Sequence, residues 1–375
     1  MSKINVRSFS NENDDGAPDI VGVSTFSSTA YFVPTKGTTA QRPSDHVEVG
    51  SIRFNTDTAN LEFYKGQTIG WSQFELIDPE LGGGTGSNTG LGTRGITAGG
   101  NNAPLNRNEI EFVTISTFGN SQDFGDLLSQ QSAMAGLASN TRGIFQGGNN
   151  PNNNVIQFIT ISSLGNAVDF GDGLKQCGFS AALSNQVRGV VGGGGPTNAI
   201  DYITIAQAGN AVDFGDLSDA GEVNMGFASS TRGIMGGGRA LNTIEFITIM
   251  TTGNATDFGD LSMTTHVPSG CSNSTRGICN LRPSTAPYYL NTVEYVTIAT
   301  LGNSIDFGDS TNNAGGTGPM SSSTRALFAA GYGSPAFLSE IASFEIATTG
   351  NAVDFGDISY AADNICGLSN GHGGL

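Results

Sequence analysis

Short segments rich in β-branched and aromatic residues recur along most of this chain, separated by turn-forming residues. One of them, residues 156–161, is typical of a strand whose successive side chains face opposite sides. Two apolar segments, 134–138 and the glycine-ended 143–148, precede it, and the tetrapeptide Asp-Phe-Gly-Asp at 169–172 follows after a Gly-Asn turn. The 3.6-residue period of a helical repeat is missing. Each unit is therefore predicted to form four short antiparallel strands.

This unit occurs six times, at intervals of 44–49 residues. An arginine follows the turn between the first two segments of each unit: Arg94, Arg142, Arg188, Arg232, Arg276 and Arg325. The first aspartate of the tetrapeptide recurs with the same spacing: Asp123, Asp169, Asp213, Asp257, Asp306 and Asp354. Four strands in each such period are typical of propeller blades, so the pattern predicts an all-β, six-bladed β-propeller. A β-solenoid is the alternative, although its coils are usually much shorter.

The repeats resemble those of kelch-like propellers. They share glycine runs at the end of the second strand (Gly236-Gly237-Gly238) and a final motif before the next blade. They also share a third-strand aromatic, which is replaced by Ser343 in the sixth repeat: Phe112, Phe158, Tyr202, Phe246 and Tyr295. The usual kelch tryptophan is missing, and Phe258 and its equivalents stand in its place. The resemblance implies an architecture and leaves the function open.

The C-terminal segment resembles the beginning of a seventh repeat. Residues 366–373 resemble residues 136–143: when Gly367-Leu368 is aligned with Gly136-Leu137, one residue fewer precedes the final glycine. The first repeat, by contrast, has a poor first strand. We therefore expect residues 362–372 to supply the innermost strand of the first blade, so that residues 91–375 form a propeller closed by the C-terminal strand. Such a closure would protect otherwise open sheet edges.

The N-terminal region lies outside the repeats. Residues 1–47 are polar with three prolines and are predicted to form an extended anchoring arm, residues 48–80 a small β-meander, and residues 81–90 a Gly-rich linker. The meander, with Gly-Ser-Ile-Arg-Phe-Asn-Thr-Asp-Thr at 50–58 and Trp71, resembles an attachment module of bacteriophage fibres. Together with the repeats, it is similar to virion proteins of tailed marine and cyanobacterial phages. That resemblance implies that the N-terminal region docks to other virion proteins while the propeller projects.

Charge narrows the classes of partner. The formal net charge is −17, which argues against nucleic acid and against anionic membranes. No apolar segment reaches 18 residues and no secretory signal is present, so we do not expect the protein to insert into a membrane. We expect the virion to assemble in the host cytoplasm. Cys177, Cys271, Cys279 and Cys366 lack metal-ligand spacing and are expected to be free thiols.

The repeated charged residues favour structural roles. The tetrapeptides hold twelve of the 33 acidic residues, and recurrence in every blade favours a turn or inter-blade contact, with a calcium site as the alternative. Each repeated arginine is expected to pair with an aspartate of its own or the adjacent blade, since an unpaired charge near a core is costly. No catalytic residue is predicted, because the most prominent acids belong to a repeat whereas an active site is normally singular. Beyond the calcium alternative, no metal site is assigned, and no cofactor is expected.

Binding is expected where the repeats differ, in the loops between second and third strands. The longest and most aromatic of these loops supplies Arg282, Tyr288 and Tyr289, and the corresponding loop of the sixth repeat supplies Tyr332 and Phe337. The leading functional hypothesis is a non-enzymatic tail-fibre or receptor-binding protein whose receptor is a host surface glycan or protein. A capsid-surface decoration protein is the alternative, and a polysaccharide-degrading tail enzyme is the third.

Overall fold

The computed structural model describes residues 34–44, 47–58, 60–73, 93–149 and 151–375. These residues form an all-β protein, with one short 3₁₀ helix at Thr39–Gln41. No helix in this part of the chain has the length and hydrophobicity needed to span a membrane. The chain divides into two compact units, Met1–Ile77 and Asp78–Leu375. The predicted linker and residues 1–33 of the predicted arm lie outside the described residues.

The first unit is a four-stranded sheet in the order β1-β2-β3-β4. Its strands are β1 (Lys36–Gly37), β2 (Ile52–Asn55), β3 (Asn60–Tyr64) and β4 (Trp71–Gln73). The last three are antiparallel and occupy the segment for which a meander is predicted. β1 lies within the predicted arm and pairs in parallel with β2. The sheet therefore begins earlier in the chain than the hydrophobic pattern indicates.

The described residues of the second unit form 25 strands. In chain order they are β5 (Arg94–Ala98), β6 (Asn101–Asn102), β7 (Leu105–Thr114), β8 (Gln122–Gln131), β9 (Ala135–Ala138), β10 (Arg142–Gln146), β11 (Val155–Thr160), β12 (Val168–Asp172), β13 (Ala181–Ser184), β14 (Arg188–Gly192), β15 (Ala199–Thr204), β16 (Val212–Asp216), β17 (Met225–Ala228), β18 (Arg232–Gly238), β19 (Leu241–Thr248), β20 (Thr256–Thr265), β21 (Ser269–Ser272), β22 (Arg276–Asn280), β23 (Thr292–Thr297), β24 (Ile305–Asp309), β25 (Gly318–Ser321), β26 (Arg325–Gly333), β27 (Ala336–Glu345), β28 (Val353–Asp357) and β29 (Cys366–Ser369).

These strands form six sheets, which we number in chain order. Sheet 1 contains β29 and β5–β8, and sheets 2 to 6 contain β9–β12, β13–β16, β17–β20, β21–β24 and β25–β28. Sheets 2 to 6 are four-stranded and antiparallel, which confirms the strand pattern predicted for each repeat. In sheet 1, β29 pairs antiparallel with β5, with Leu368 opposite Ile96. The C-terminal segment thus pairs with the first repeat, as its sequence predicts.

Successive sheets contact each other through their first strands in a cyclic order. β29 contacts β9, which contacts β13, and the series continues through β17, β21 and β25 back to β29. The apolar core is divided in the same way, because each buried cluster draws on two neighbouring sheets. One cluster joins sheets 1 and 2 through Phe124 and Phe145, and another joins sheets 6 and 1 through Leu327 and Ile115. Every sheet therefore buries both of its faces.

Candidate functional site

The six repeated arginines each reach across to the next sheet. Each begins the second strand of its sheet, and its Nη1 donates a hydrogen bond to an isoleucine carbonyl after the third strand of the neighbouring sheet, at 2.6–3.1 Å. The pairs are Arg94 with Ile161, Arg142 with Ile205, Arg188 with Ile249, Arg232 with Ile298, Arg276 with Ile346, and Arg325 with Ile115. The last pair joins sheet 6 to sheet 1.

The prediction that these arginines pair with aspartates is wrong. In the first five repeats the guanidinium carbon lies 4.1–4.9 Å from the centroid of the third-strand aromatic ring. Of the six, Arg325 alone has a carboxylate within salt-bridge distance among the described residues, and its partner is Glu345. The aspartates lie on the fourth strand, two strands away. A carbonyl and a ring face therefore satisfy the half-buried cation instead of a carboxylate.

The sixth repeat, which has Ser343 in place of the aromatic, uses a ring from sheet 1. Arg325 lies over Phe118, with 4.7 Å between the guanidinium carbon and the ring centroid. Phe118 also packs against Phe355 of the sixth tetrapeptide at 5.2 Å, whereas the other tetrapeptide phenylalanines pack edge-on against their own third-strand ring. The break in the repeat is thus compensated at the junction between the last and first repeats.

We expect Phe118→Ala to destabilise the protein although this side chain is 51% exposed. The substitution removes a cation–π contact and an aromatic pair, so the expected loss is about 1–3 kcal/mol. Leu164→Ala is the matched control, because Leu164 occupies the same turn position in sheet 2 and is 59% exposed. The free energy of unfolding of Leu164→Ala should stay within about 0.5 kcal/mol of the wild-type value. Equal losses in urea unfolding would contradict the compensating role of Phe118.

The Asp-Phe-Gly-Asp tetrapeptides join each sheet to the next. The carbonyls of the phenylalanine and of the second aspartate accept hydrogen bonds from the neighbouring Gly-Asn turn at 2.8–2.9 Å. The second aspartate's own N–H donates to the asparagine Oδ1 of that turn at 3.0–3.1 Å. The pairs are Asp126 with Asn166, Asp172 with Asn210, Asp216 with Asn254, Asp260 with Asn303, Asp309 with Asn351, and Asp357 with Asn120.

These bonds occupy the outer edge of every sheet. An open outer strand would offer its backbone groups to another chain, and here the neighbouring turn takes them up. The first aspartates of the tetrapeptides are all exposed: Asp123, Asp169, Asp213, Asp257, Asp306 and Asp354. No group of three or more His, Cys, Asp or Glu side chains suited to a metal ion occurs in the described residues. The backbone of the motif thus has the inter-sheet role favoured by its recurrence.

Buried acids of the third strands make a further inter-sheet contact. Glu111, Asp201, Glu245 and Glu294 are buried, and each accepts a backbone N–H located two residues after the tetrapeptide of the preceding sheet. Gln157 does the same for Leu128 at 2.8 Å. At least one oxygen of each carboxylate is therefore occupied by a structural hydrogen bond. The four cysteines are buried free thiols, as expected.

A central cavity of about 110 Å³ is lined by the first strands of sheets 1 to 6. Small residues allow these strands to approach closely. A Cβ added at Gly226, for example, would lie 2.3 Å from the carbonyl oxygen of Ala182. Serine side chains tie neighbouring strands together, as where Ser369 Oγ donates to the Ser321 carbonyl at 2.7 Å.

The segment 371–375 crosses one end of this cavity. Gly373 N–H donates to the Ser272 carbonyl at 2.8 Å, and His372 Nε2 lies 3.0 Å from the Ala138 carbonyl. His372 Nδ1 accepts the Gly374 N–H at 3.1 Å, which places the imidazole proton on Nε2. The segment thereby links sheets 2 and 5.

Burial lowers the pKa of His372 to about 4, despite the hydrogen bond to Ala138. The unfolded chain takes up this proton near pH 6.5, so His372 should make the protein less stable as the pH falls from about 6.5 to about 4. Asp363 acts in the opposite sense, because burial raises its pKa to about 6, and its contribution is lost as the pH rises from about 4 to about 6. In thermal unfolding across this range, His372→Gln should flatten the acid decline and Asp363→Asn should steepen it. Unchanged profiles would contradict both assignments.

Four of the five predicted loop residues form one continuous cluster. Arg282 Nη2 donates to the Tyr289 hydroxyl at 3.0 Å, and the Tyr289 ring lies 5.4 Å from that of Tyr332 in an edge-on contact. Tyr332 in turn packs against Phe337 at 5.1 Å. Tyr288 is 55% exposed beside them. Tyr332 and Phe337, which were expected in a loop, lie opposite each other in the paired strands β26 and β27. A loop of sheet 5 thus meets the β26–β27 hairpin of sheet 6.

This cluster borders the other end of the central cavity. A Cβ at Gly315 would lie 2.2 Å from Arg282 Cδ, so the arginine stem crosses the segment that leads into β25. The next residue, Gly316, lies against Asn364, and both line the cavity. The Asn364 Oδ1 is buried without a hydrogen-bond partner among the described residues.

Asp363 and Asn364 were missed from the sequence because they lie in a connection outside the second-to-third-strand loops. The one available signal was the match between the C-terminal segment and a first strand, since it places these two residues at the entry to that strand. Comparison with known proteins adds no family name: no protein-family model matches the chain, and no curated protein matches it either.

Proposed function

We propose that sheets 1 to 6 form a closed, six-bladed β-propeller that acts as a rigid binding scaffold. Three sets of contacts support the closure, and each continues from sheet 6 to sheet 1. They are the first-strand contacts, the arginine bonds that end with Arg325 and Ile115, and the motif bonds that end with Asp357 and Asn120. A solenoid along a straight axis would leave its first and last repeats apart.

The observation that supports binding best is the clustering of variable side chains on this regular frame. The repeated arginines and third-strand acids are engaged in inter-sheet contacts, which leaves recognition to positions where the repeats differ. Arg282 and Tyr289 come from a loop of sheet 5 and meet Tyr332 at the end of β26. Arg282 lies against Gly315, and the next residue, Gly316, lines the cavity. Aromatic and arginine side chains on a rigid support are typical of recognition surfaces. We therefore propose a non-enzymatic role in binding.

The biological setting we propose is a phage virion, with the propeller in a tail-fibre or receptor-binding role. It rests on the resemblance of the segment 50–58 and Trp71 to a fibre attachment module. The first unit contains a buried polar cluster that would hold its sheet rigid for docking. Asn55 and Glu62 are fully buried and hydrogen-bonded to each other, and the Arg42 side chain pairs with Glu62. That pairing lowers the pKa of Glu62, so the carboxylate stays ionised.

Antibody labelling and cell binding test this function. Gold-labelled antibodies against the second unit should mark tail tips of intact particles, and purified protein should bind host cells and compete with particle adsorption. Labelling over the capsid would favour the decoration alternative. Release of reducing ends from host polysaccharide during incubation would instead favour the degrading enzyme.

A further inference from the structure

Beside the cavity entrance, the surface carries ring faces, a hydrogen-bond donor and hydrogen-bond acceptors within one small area. The rings are those of Tyr289 and Tyr332, which meet edge-on at 5.4 Å. Arg282 supplies the donor, and its one hydrogen bond among the described contacts goes to the Tyr289 hydroxyl. A guanidinium group carries five N–H donors, so most of them stay available to a ligand.

The acceptors are the tyrosine hydroxyls. Asn364 lines the cavity next to this cluster, but its Oδ1 is buried and is not open to a ligand. The backbone of the adjacent Asp363 is held by paired hydrogen bonds with Asn101 at 2.8 and 2.9 Å. The connection beside the cluster is therefore fixed before any ligand binds.

Charge decides between classes of ligand. The chain carries a net charge of −17, and six tetrapeptide aspartates are exposed around the second unit. A field of this sign repels polyanions such as uronate polymers or nucleic acid. A ligand with hydroxyl groups that both donate and accept, and with an apolar C–H face for the tyrosine rings, fits this combination of groups without a charge penalty.

We propose that Arg282, Tyr289 and Tyr332 form a subsite for an uncharged saccharide beside the cavity entrance. The Tyr332 ring packs against the C–H face of a sugar ring, because the Arg282 guanidinium lies over the Tyr289 ring at 4.9 Å. Arg282 donates to the sugar hydroxyl groups, and the tyrosine hydroxyls accept from them. This inference rests on the proposed receptor-binding function and names the ligand class of that same surface.

The test uses the full chain and an array of oligosaccharides of glucose, galactose, mannose and N-acetylglucosamine, with hexuronate oligomers as the acidic comparison. The best neutral ligand is then titrated by calorimetry against the wild type, Tyr332→Ala and Arg282→Gln. We expect each substitution to weaken affinity at least tenfold. Arg239→Gln is the matched control, because Arg239 is an exposed arginine in the corresponding loop of sheet 4, and its affinity should stay within twofold.

Thermal unfolding of each variant shows whether it is folded, so that a loss of saccharide affinity is not mistaken for a loss of folding. If Tyr332→Ala does not fold, the comparison relies on Arg282→Gln. Binding of host cells without binding of any neutral saccharide would overturn the subsite and leave the proposed function standing. A preference for hexuronates, or equal affinity in all variants, would also overturn it. Cell binding that is lost on protease treatment but resists periodate would identify a protein receptor instead. Binding of neither cells nor saccharides would refute the proposed function itself.

Discussion

Gly215→Ala should strongly destabilise the second unit. Gly215 is the glycine of the third tetrapeptide and has φ of +150°, a conformation that side-chain-bearing residues rarely adopt. An added Cβ would also lie 2.4 Å from the Gly253 carbonyl oxygen and 2.9 Å from the Asn254 nitrogen. Both atoms belong to the backbone of the turn that is bonded to this motif. The steric clash can therefore be relieved only by moving two sheets apart. We expect a loss of about 2–6 kcal/mol, from about 1–3 of backbone strain and about 1–3 of overpacking.

Gly165→Ala separates these two causes. Gly165 has φ of +151°, the same backbone strain, but an added Cβ would meet no heavy atom within 4 Å. Its loss should therefore be limited to the strain, about 1–3 kcal/mol. Urea unfolding of both variants provides the comparison. If both variants lost the same free energy of unfolding, the close approach between the sheets would not contribute to stability. The tetrapeptide would then not hold neighbouring sheets together as described.

The hydrophobic pattern was sufficient for the local structure of the repeats. Alternation in 156–161, the glycine run at 236–238 and the Gly-Asn turns predict strands and hairpins that the structure contains. They are determined within a few residues, so the sequence displays them directly. The match between residues 366–373 and 136–143 even predicted the long-range pairing of β29 with β5, because the repeat itself carries the information.

Contacts between repeats were harder to infer, because their partners are fixed by three-dimensional packing. Charge complementarity suggested aspartate as the partner of Arg232, whereas the guanidinium lies over Phe246 and donates to Ile298. A backbone carbonyl and a ring face have no charge signature in a sequence. The role of Phe118 was hidden for the same reason, since it depends on the last repeat meeting the first.

Truncation after Asp357 should remove a large part of the stability and make the protein associate. The deleted segment buries Ile365, Cys366 and Leu368, each no more than 5% exposed, against neighbouring sheets. Their burial contributes about 5 kcal/mol in total at about 1.5–3 kcal/mol for each large side chain. That is a substantial share of the roughly 5–15 kcal/mol typical of a folded domain. Loss of β29 also leaves the β5 edge unpaired and open to other chains.

Truncation after Asn370 is the matched control, because it keeps β29 and its pairing with β5 while removing His372. The longer protein loses the bonds of segment 371–375 to sheets 2 and 5, so it should unfold somewhat below the wild type at pH 7.5 but still elute as the wild type does. The shorter one should unfold at least 10 °C lower and elute as larger species. If both truncated proteins matched the wild type in unfolding temperature and elution volume, the sixth and first repeats would not depend on the C-terminal strand for closure. The regular ring of sheets, and with it the rigid support proposed for the binding loops, would then have to be abandoned.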